Sequence, residues 1–286
     1  MHQREPITQH MVLRFIDDRV FAPNPAAQRK LARIVLRQGR PFSLLSFGGA
    51  DTHLHVLPYC DLPRATELDR RLKIQIKLAL HPSAVFARTS YTDVFDEWHL
   101  AKAFRYDIVQ ARHHGCNVDP FFETTVLPDL LGLRLIEGRD RMGEGDGSYV
   151  IANVASYLPR VSMEQLWSFF EGPRPDLTDD ELVWDDLEQA AAAAVALPDV
   201  TGKTPAACAA RAAAIQLAAR TLIPDRLAKL LGCSTRTLWR GRRAPLRQGL
   251  LEAVRMQLAL RSAAALRRRA LPPAEQAWKR AAQGRR

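Results

Sequence analysis

Residues 41–59 read PFSLLSFGGADTHLHVLPY, two apolar runs on either side of a glycine-rich centre. Pro41–Phe47 has the texture of a strand, Gly48-Gly49-Ala50-Asp51 that of a tight connection, and Thr52–Tyr59 that of a second strand. The stretch therefore predicts an antiparallel hairpin. Alternate residues of a strand project to one face, so the second strand carries His53 and His55 side by side. That spacing suits a divalent metal seated on a sheet, held by two neutral imidazole nitrogens. His-x-His also recurs by chance, and the reading needs a third ligand from another element.

Outward from the hairpin, Gln9–Ile16 reads as an earlier strand, and Asn24-Pro25 opens a helix whose apolar stripe is Leu31, Ile34, Val35 and Leu36. After the hairpin a helix starts at Pro63, with Leu68, Leu72, Ile74, Ile76, Leu78 and Leu80 as its packing residues, and His81-Pro82 breaks it. The alternation from Leu72 to Leu80 also fits a strand. Ala84–Arg88 reads as a fourth strand and Asp96–His113 as the next helix. This order predicts an α+β fold, a ferredoxin-like antiparallel sheet with helices on one face.

Beyond it, the glycine-rich Met142–Gly147 reads as a loop or boundary, Tyr149–Tyr157 and Ser162–Phe170 as a short element and a helix, and the acidic stretch Glu171–Asp199 as a connector. Within the connector, Ala190–Ala194 favours helix without specifying any packing. Helices over Pro205–Thr221, Pro224–Leu231 and Thr235–Arg243, with a turn at Gly232-Cys233-Ser234, have helix-turn-helix spacing. Gly232 can end the second helix and Ser234 can cap the third. Thr235, Arg236, Thr237, Trp239, Arg240, Arg242 and Arg243 then form an exposed face suited to a DNA major groove. A last helix, Leu246–Arg269, ends in a basic cluster and tail. Three regions follow: 1–142 catalytic, 143–200 accessory segment and acidic connector, and 201–286 an all-α, basic DNA-binding region.

Composition agrees with a polyanionic partner. The 286 residues carry a net charge of +10, and the surplus lies in the C-terminal third. No apolar run of membrane-spanning length and no signal-peptide core is present. The four cysteines are widely spaced, and they read as reduced thiols of a cytoplasmic protein.

The helix Asp96–His113 supplies the missing partners, because Tyr106 and Gln110 lie one turn apart on a single face. Histidine, histidine and glutamine make a mixed nitrogen and oxygen shell that suits Mg2+ or Mn2+. His53-Leu54-His55 followed by Tyr106-Asp107-Ile108-Val109-Gln110 resembles the single-tyrosine HUH transposases, and among them the REP-associated tyrosine transposases, over roughly residues 8 to 135. The resemblance implies His53, His55 and Gln110 as metal ligands and Tyr106 as the nucleophile. It also implies cleavage of single-stranded or hairpin DNA through a 5′-phosphotyrosine that a 3′-hydroxyl can later attack, which makes the reaction strand transfer. A phenol ionises near pH ~10, so a metal or cation must favour its anion, and Lys102 and Arg105 are the nearby cations of the helix.

Tyr59, Tyr91, Tyr149 and Tyr157 have no polar ligand one turn away, and His113-His114 reads as a helix end. Trp98, Phe104 and Tyr91 are candidates for stacking on unpaired bases, with core packing the first expectation for any one of them. A duplex contact by the helix-turn-helix accompanies the single-strand site in this reading. Monomer and homodimer remain open, since members of the family also complete a site with a partner's tyrosine. The alternative function is a transposase-derived DNA-binding protein without the chemistry.

Overall fold

The computed structural model describes residues 5–116, 123–136, 149–169 and 175–270. The glycine-rich loop expected at Met142–Gly147 and the basic tail after Ala270 lie outside the described residues, as do Phe170 and the first residues of the expected connector.

Four strands, β1 (Thr8–Arg14), β2 (Leu44–Ala50), β3 (His53–Pro58) and β4 (Ser90–Val94), form one antiparallel sheet in the order β2-β3-β1-β4. Three helices alternate with them: α1 (Pro25–Gly39), α2 (Leu62–Ala79) and α3 (Glu97–His113). Each begins where the chain supplies a side-chain acceptor for an otherwise unpaired first-turn amide. Asn24 accepts from Ala27 at 2.9 Å, Asp61 from Arg64 at 3.0 Å and Asp96 from His99 at 2.8 Å. The protein is thus of mixed α+β class.

Register divides the sheet into two faces. His55 pairs with Val12 of β1 and Gly48 of β2, and His53 pairs with Arg14 and Ala50. Side chains alternate along each strand, so His10, Ser46, Gly48, His53 and His55 share one face. Met11, Leu13, Phe47, Leu54 and Val56 occupy the other, where all are fully buried together with Leu31 of α1 and Leu68, Leu72 and Ile76 of α2.

The helices do not all lie on one face, as the sequence reading expected. α3 covers the histidine face, close enough that a Cβ on Gly48 would stand 2.0 Å from the carbonyl oxygen of Asp107. That approach also corrects the hairpin turn. Gly48 and Gly49 lie within β2 and only Asp51-Thr52 turns the chain, because the glycines are there to admit α3 and Thr124 rather than to bend the backbone.

The fourth strand is likewise displaced. Ala84–Arg88 makes only a bridge from Phe86 to Phe15, and the strand that pairs along β1 is Ser90–Val94. Ala84 is buried while β4 is largely exposed, so the apolar signal marks a core-lining loop and the solvated edge strand carries none. In α2, Ile74 and Leu78 face solvent instead of packing, 42% and 73% exposed.

The rest of the chain is helical. Three short helices, α4 (Leu127–Leu130), α5 (Tyr149–Tyr157) and α6 (Met163–Ser168), lean on the sheet core, and α7 (Leu187–Ala194), α8 (Pro205–Ala218), α9 (Pro224–Leu230), α10 (Thr235–Arg242) and α11 (Gln248–Ala270) follow. The stretch read as a connector is not one throughout. Trp184, Leu187, Ala190, Ala191, Ala192 and Ala194 are buried in a second core with Ile215, Leu227, Leu238 and Val254, since alanine side chains let α7 pack closely on α8 and α11.

A buried polar network ties this core to the sheet. Arg29 of α1 donates to the carbonyls of Leu197 and Pro198 at 2.7 and 2.8 Å and to Glu123 at 3.3 Å. Glu123 also accepts from Arg261 of α11 at 2.7 Å. No helix of the described residues is long and apolar enough to cross a membrane.

Candidate metal and nucleophile centre

β3 carries His53 and His55 onto the face that α3 covers, and β1 adds His10 beside them. The His10 and His55 rings stack with centroids 5.3 Å apart, and His53 follows at 6.3 Å from His55. From α3, Asp107 descends into the same space, completely buried. Its Oδ1 lies 2.9 Å from His10 Nε2, and its Oδ2 accepts from Ser46 Oγ at 2.6 Å. Ligand atoms of His10, His55 and Asp107 all fall within 4.8 Å of one another.

Tyr106 stands at the rim. It is 40% exposed, its ring meets that of His55 edge-on at 5.3 Å, and His10 lies at 6.4 Å. Gln110, one turn further, is buried and sits over Gly48, the cross-strand neighbour of His55. Thus His53, His55, Tyr106 and Gln110 are gathered on one side of the sheet. Thr52, just before the pair, contacts His53 Nδ1 through its hydroxyl at 2.9 Å and fixes that ring.

Burial pushes the pKa of His55 down to about 4, with Asp107 opposing the shift. The pKa of His53 is lowered too, chiefly by burial and then by His114 and Arg14. Both rings are therefore neutral near pH 7, the state in which imidazole binds a metal. For His10, burial also lowers the pKa, but the charge of Asp107 and its hydrogen bond outweigh that and leave it raised.

Two buried polar atoms in this cluster, the ring nitrogen Nδ1 of His55 and the amide oxygen Oε1 of Gln110, have no hydrogen-bond partner. Leaving such atoms unmade is expensive, about 1–3 kcal/mol each. Their donor types, with the neighbouring carboxylate, fit a divalent ion of mixed nitrogen and oxygen preference.

The other expected candidates separate cleanly. Tyr59 and Tyr157 stack on each other at 3.8 Å, and Tyr149 donates its hydroxyl to the Leu36 carbonyl at 2.7 Å. Burial raises the pKa of Tyr91 to about 12, beside Asp69. None competes with Tyr106. His114 stacks on His53 at 5.9 Å and His113 lies 6.1 Å from Tyr106, so this pair borders the centre rather than simply closing a helix. Lys102 rests over Trp98 and Arg105 over Phe169.

Sequence reasoning missed His10, Ser46 and Asp107. His10 and Ser46 join the site only through strand register, which no local pattern encodes. Asp107 did leave a signal, a carboxylate on the helix stripe otherwise formed by Leu100, Phe104, Ile108 and Ala111.

The expected DNA-reading face lies apart from this centre, on α10. Ser234 caps the helix by accepting from the Thr237 amide at 3.3 Å, and Gly232 takes the positive φ of +55° that ends the preceding turn. Thr235, Arg236, Trp239, Arg240 and Arg243 are exposed, while Thr237 and Arg242 are half-buried, the latter over the Trp239 ring at 5.2 Å.

The chain matches no protein-family model, no curated protein and no solved structure.

Proposed function

We propose that this protein is a metal-dependent, single-tyrosine DNA endonuclease and strand transferase of the HUH type, acting on single-stranded or hairpin DNA. One observation carries the reading. An accessible phenol stands edge-on to a neutral buried histidine at 5.3 Å, beside two buried polar atoms that lack partners. The strand order β4-β1-β3-β2 with helices in the first and second crossovers supports the ferredoxin-like architecture of that class.

His53, His55 and Gln110 would hold Mg2+ or Mn2+, with Asp107 and His10 as adjoining donors; two or more imidazoles favour manganese. When bound, the ion supplies Lewis-acid polarisation of a phosphate oxygen and favours the phenolate. Tyr106 Oη forms the new ester to the 5′-phosphate as the bond to the 3′-oxygen breaks, and the phenolic proton reaches that oxygen through solvent. The phosphodiester energy stays in the phosphotyrosine, so a 3′-hydroxyl can reseal the strand elsewhere. Asp107 keeps His10 and Ser46 in place under the nucleophile, a positioning role. Tyr106 lies against its own chain's His55, which supports a site completed without a partner subunit. The face of α10, from Thr235 to Arg243, serves as the reading helix of a helix-turn-helix and adds duplex contacts.

The test is a denaturing gel of protein incubated with labelled hairpin DNA and Mn2+ or Mg2+. A covalent adduct that disappears in Tyr106→Phe is expected. No adduct from wild type leaves only the DNA-binding alternative, and equal adduct from Tyr106→Phe removes Tyr106 as the nucleophile.

A further inference from the structure

Helix α3 carries Trp98, Lys102, Tyr106 and Gln110 at successive four-residue steps. Such a row forms a continuous ridge inclined to the helix axis. Along it exposure falls from 74% at Trp98 to 40% at Tyr106 and 1% at Gln110, so the ridge runs from open solvent into the centre. Trp98 serves no core. Of the aromatic residues considered for stacking, Phe104 is buried and Tyr91 is held beside Asp69, whereas Trp98 presents its ring outward with Lys102 Nζ 5.4 Å from its centre.

An accessible indole beside an ammonium group is the combination that binds an unpaired base and its phosphate. The setting has the matching charge and polarity. Lys102 and Arg105 are exposed on the same side of α3, and Ser90 and Thr92 of β4 alternate onto the sheet face that bears His10. Glu97, the carboxylate of the first turn, sits at the helix N-terminus, where the helix dipole favours it. Trp98 and Tyr106 are eight residues apart in the sequence, about 12 Å along the axis, which is the rise of three to four stacked nucleotides.

We infer that Trp98 and Lys102 bind the single-stranded flank of the DNA, Trp98 stacking on an unpaired base three to four nucleotides from the phosphate that Tyr106 attacks. This assignment rests on the proposed reading of the centre, and it gives the ridge a purpose. It orients the strand so that the scissile phosphate arrives over the histidines.

Hairpin DNAs with oligo-dT tails of increasing length, on either side, provide the probe. Affinity is measured by fluorescence anisotropy in the non-cleaving Tyr106→Phe background, and adduct yield in the parent. Trp98→Ala is expected to weaken binding of long-tailed hairpins about 5- to 150-fold, the equivalent of about 1–3 kcal/mol of stacking. It should leave blunt hairpins unchanged, and Trp98→Phe should retain most of the affinity. Lys102→Ala should lower the slope of log K against log salt by about 0.7, one single-strand phosphate contact.

Unaltered binding of long tails by Trp98→Ala overturns the inference, as does an equal loss on blunt and tailed DNA. The two readings fail separately. Trp98-dependent tail binding without any adduct keeps the stacking ridge and removes the chemistry; an adduct whose yield and tail dependence ignore Trp98 does the reverse.

Discussion

Replacing Gly48 by alanine places a methyl group 2.0 Å from the Asp107 carbonyl oxygen, 2.9 Å from its carbon and 3.2 Å from Gln110 Cβ. Ordinary contact begins near 3.4 Å, so α3 and the sheet must part by about 1.4 Å. The obstacle is helix backbone, which no side-chain rotation can clear. The cost lies at the upper end of the overpacking range, about 3 kcal/mol, which corresponds to a fall in Tm of roughly 6–12 °C. Because Tyr106, Asp107 and Gln110 ride on the displaced helix, adduct formation should drop about 100-fold, the effect of a misplacement near 1 Å.

Gly49→Ala is the control. Its methyl would meet the Thr124 side chain at 2.5 Å, on the opposite face, so it should lower Tm while sparing the adduct yield. Thermal denaturation together with the denaturing gel makes the comparison. Wild-type Tm and adduct yield in Gly48→Ala would refute the claim that this contact seats the nucleophile.

Two more perturbations test the cluster and its support. With the folded pKa of His55 pushed down to about 4 by burial, the unfolded chain takes up a proton between about pH 6.5 and 4 that the folded one does not. Stability therefore falls as pH drops through that window, by about 3 kcal/mol from this residue. Urea unfolding across the window should show a flatter dependence in His55→Gln. His10, whose pKa Asp107 holds raised, stabilises in the opposite sense, fully below about pH 6.5 and less as pH rises through its folded pKa, so His10→Gln should abolish a loss of stability above about pH 6.5 and leave the acid loss below it unchanged. Identical profiles for wild type and His55→Gln would contradict this. Glu123→Gln removes the carboxylate shared by Arg29 and Arg261, a buried loss of about 3–5 kcal/mol; a variant within about 1 kcal/mol of wild type by urea unfolding would show that the network does not join the two cores.

The strands and helices whose apolar residues repeat with the right period were legible in the chain. β1, β3, α1 and α3 stand where the pattern put them, and the acceptors at Asn24 and Asp96 mark the starts of the two helices. The failures have physical causes. β4 is a solvated edge strand without an apolar alternation, and Gly48-Gly49 resembles a turn because glycine serves both turns and close backbone approach. The alanines of α7 carry no amphipathic signal even though they are buried.

At the site, the pairs His53/His55 and Tyr106/Gln110 could be read because each lies within one element. Their meeting, and the addition of His10 and Ser46, depends on register and on α3 crossing to the second face. Local sequence does not encode those.

The most direct measurement is mass spectrometry of the protease-digested protein after reaction with hairpin DNA and Mn2+. A nucleotide carried through a 5′-phosphate on the peptide containing Tyr106 is the predicted result. A nucleotide on another residue, or intact unmodified Tyr106 peptide accompanying cleaved DNA, would contradict the account of Tyr106 as the nucleophile over the histidine pair.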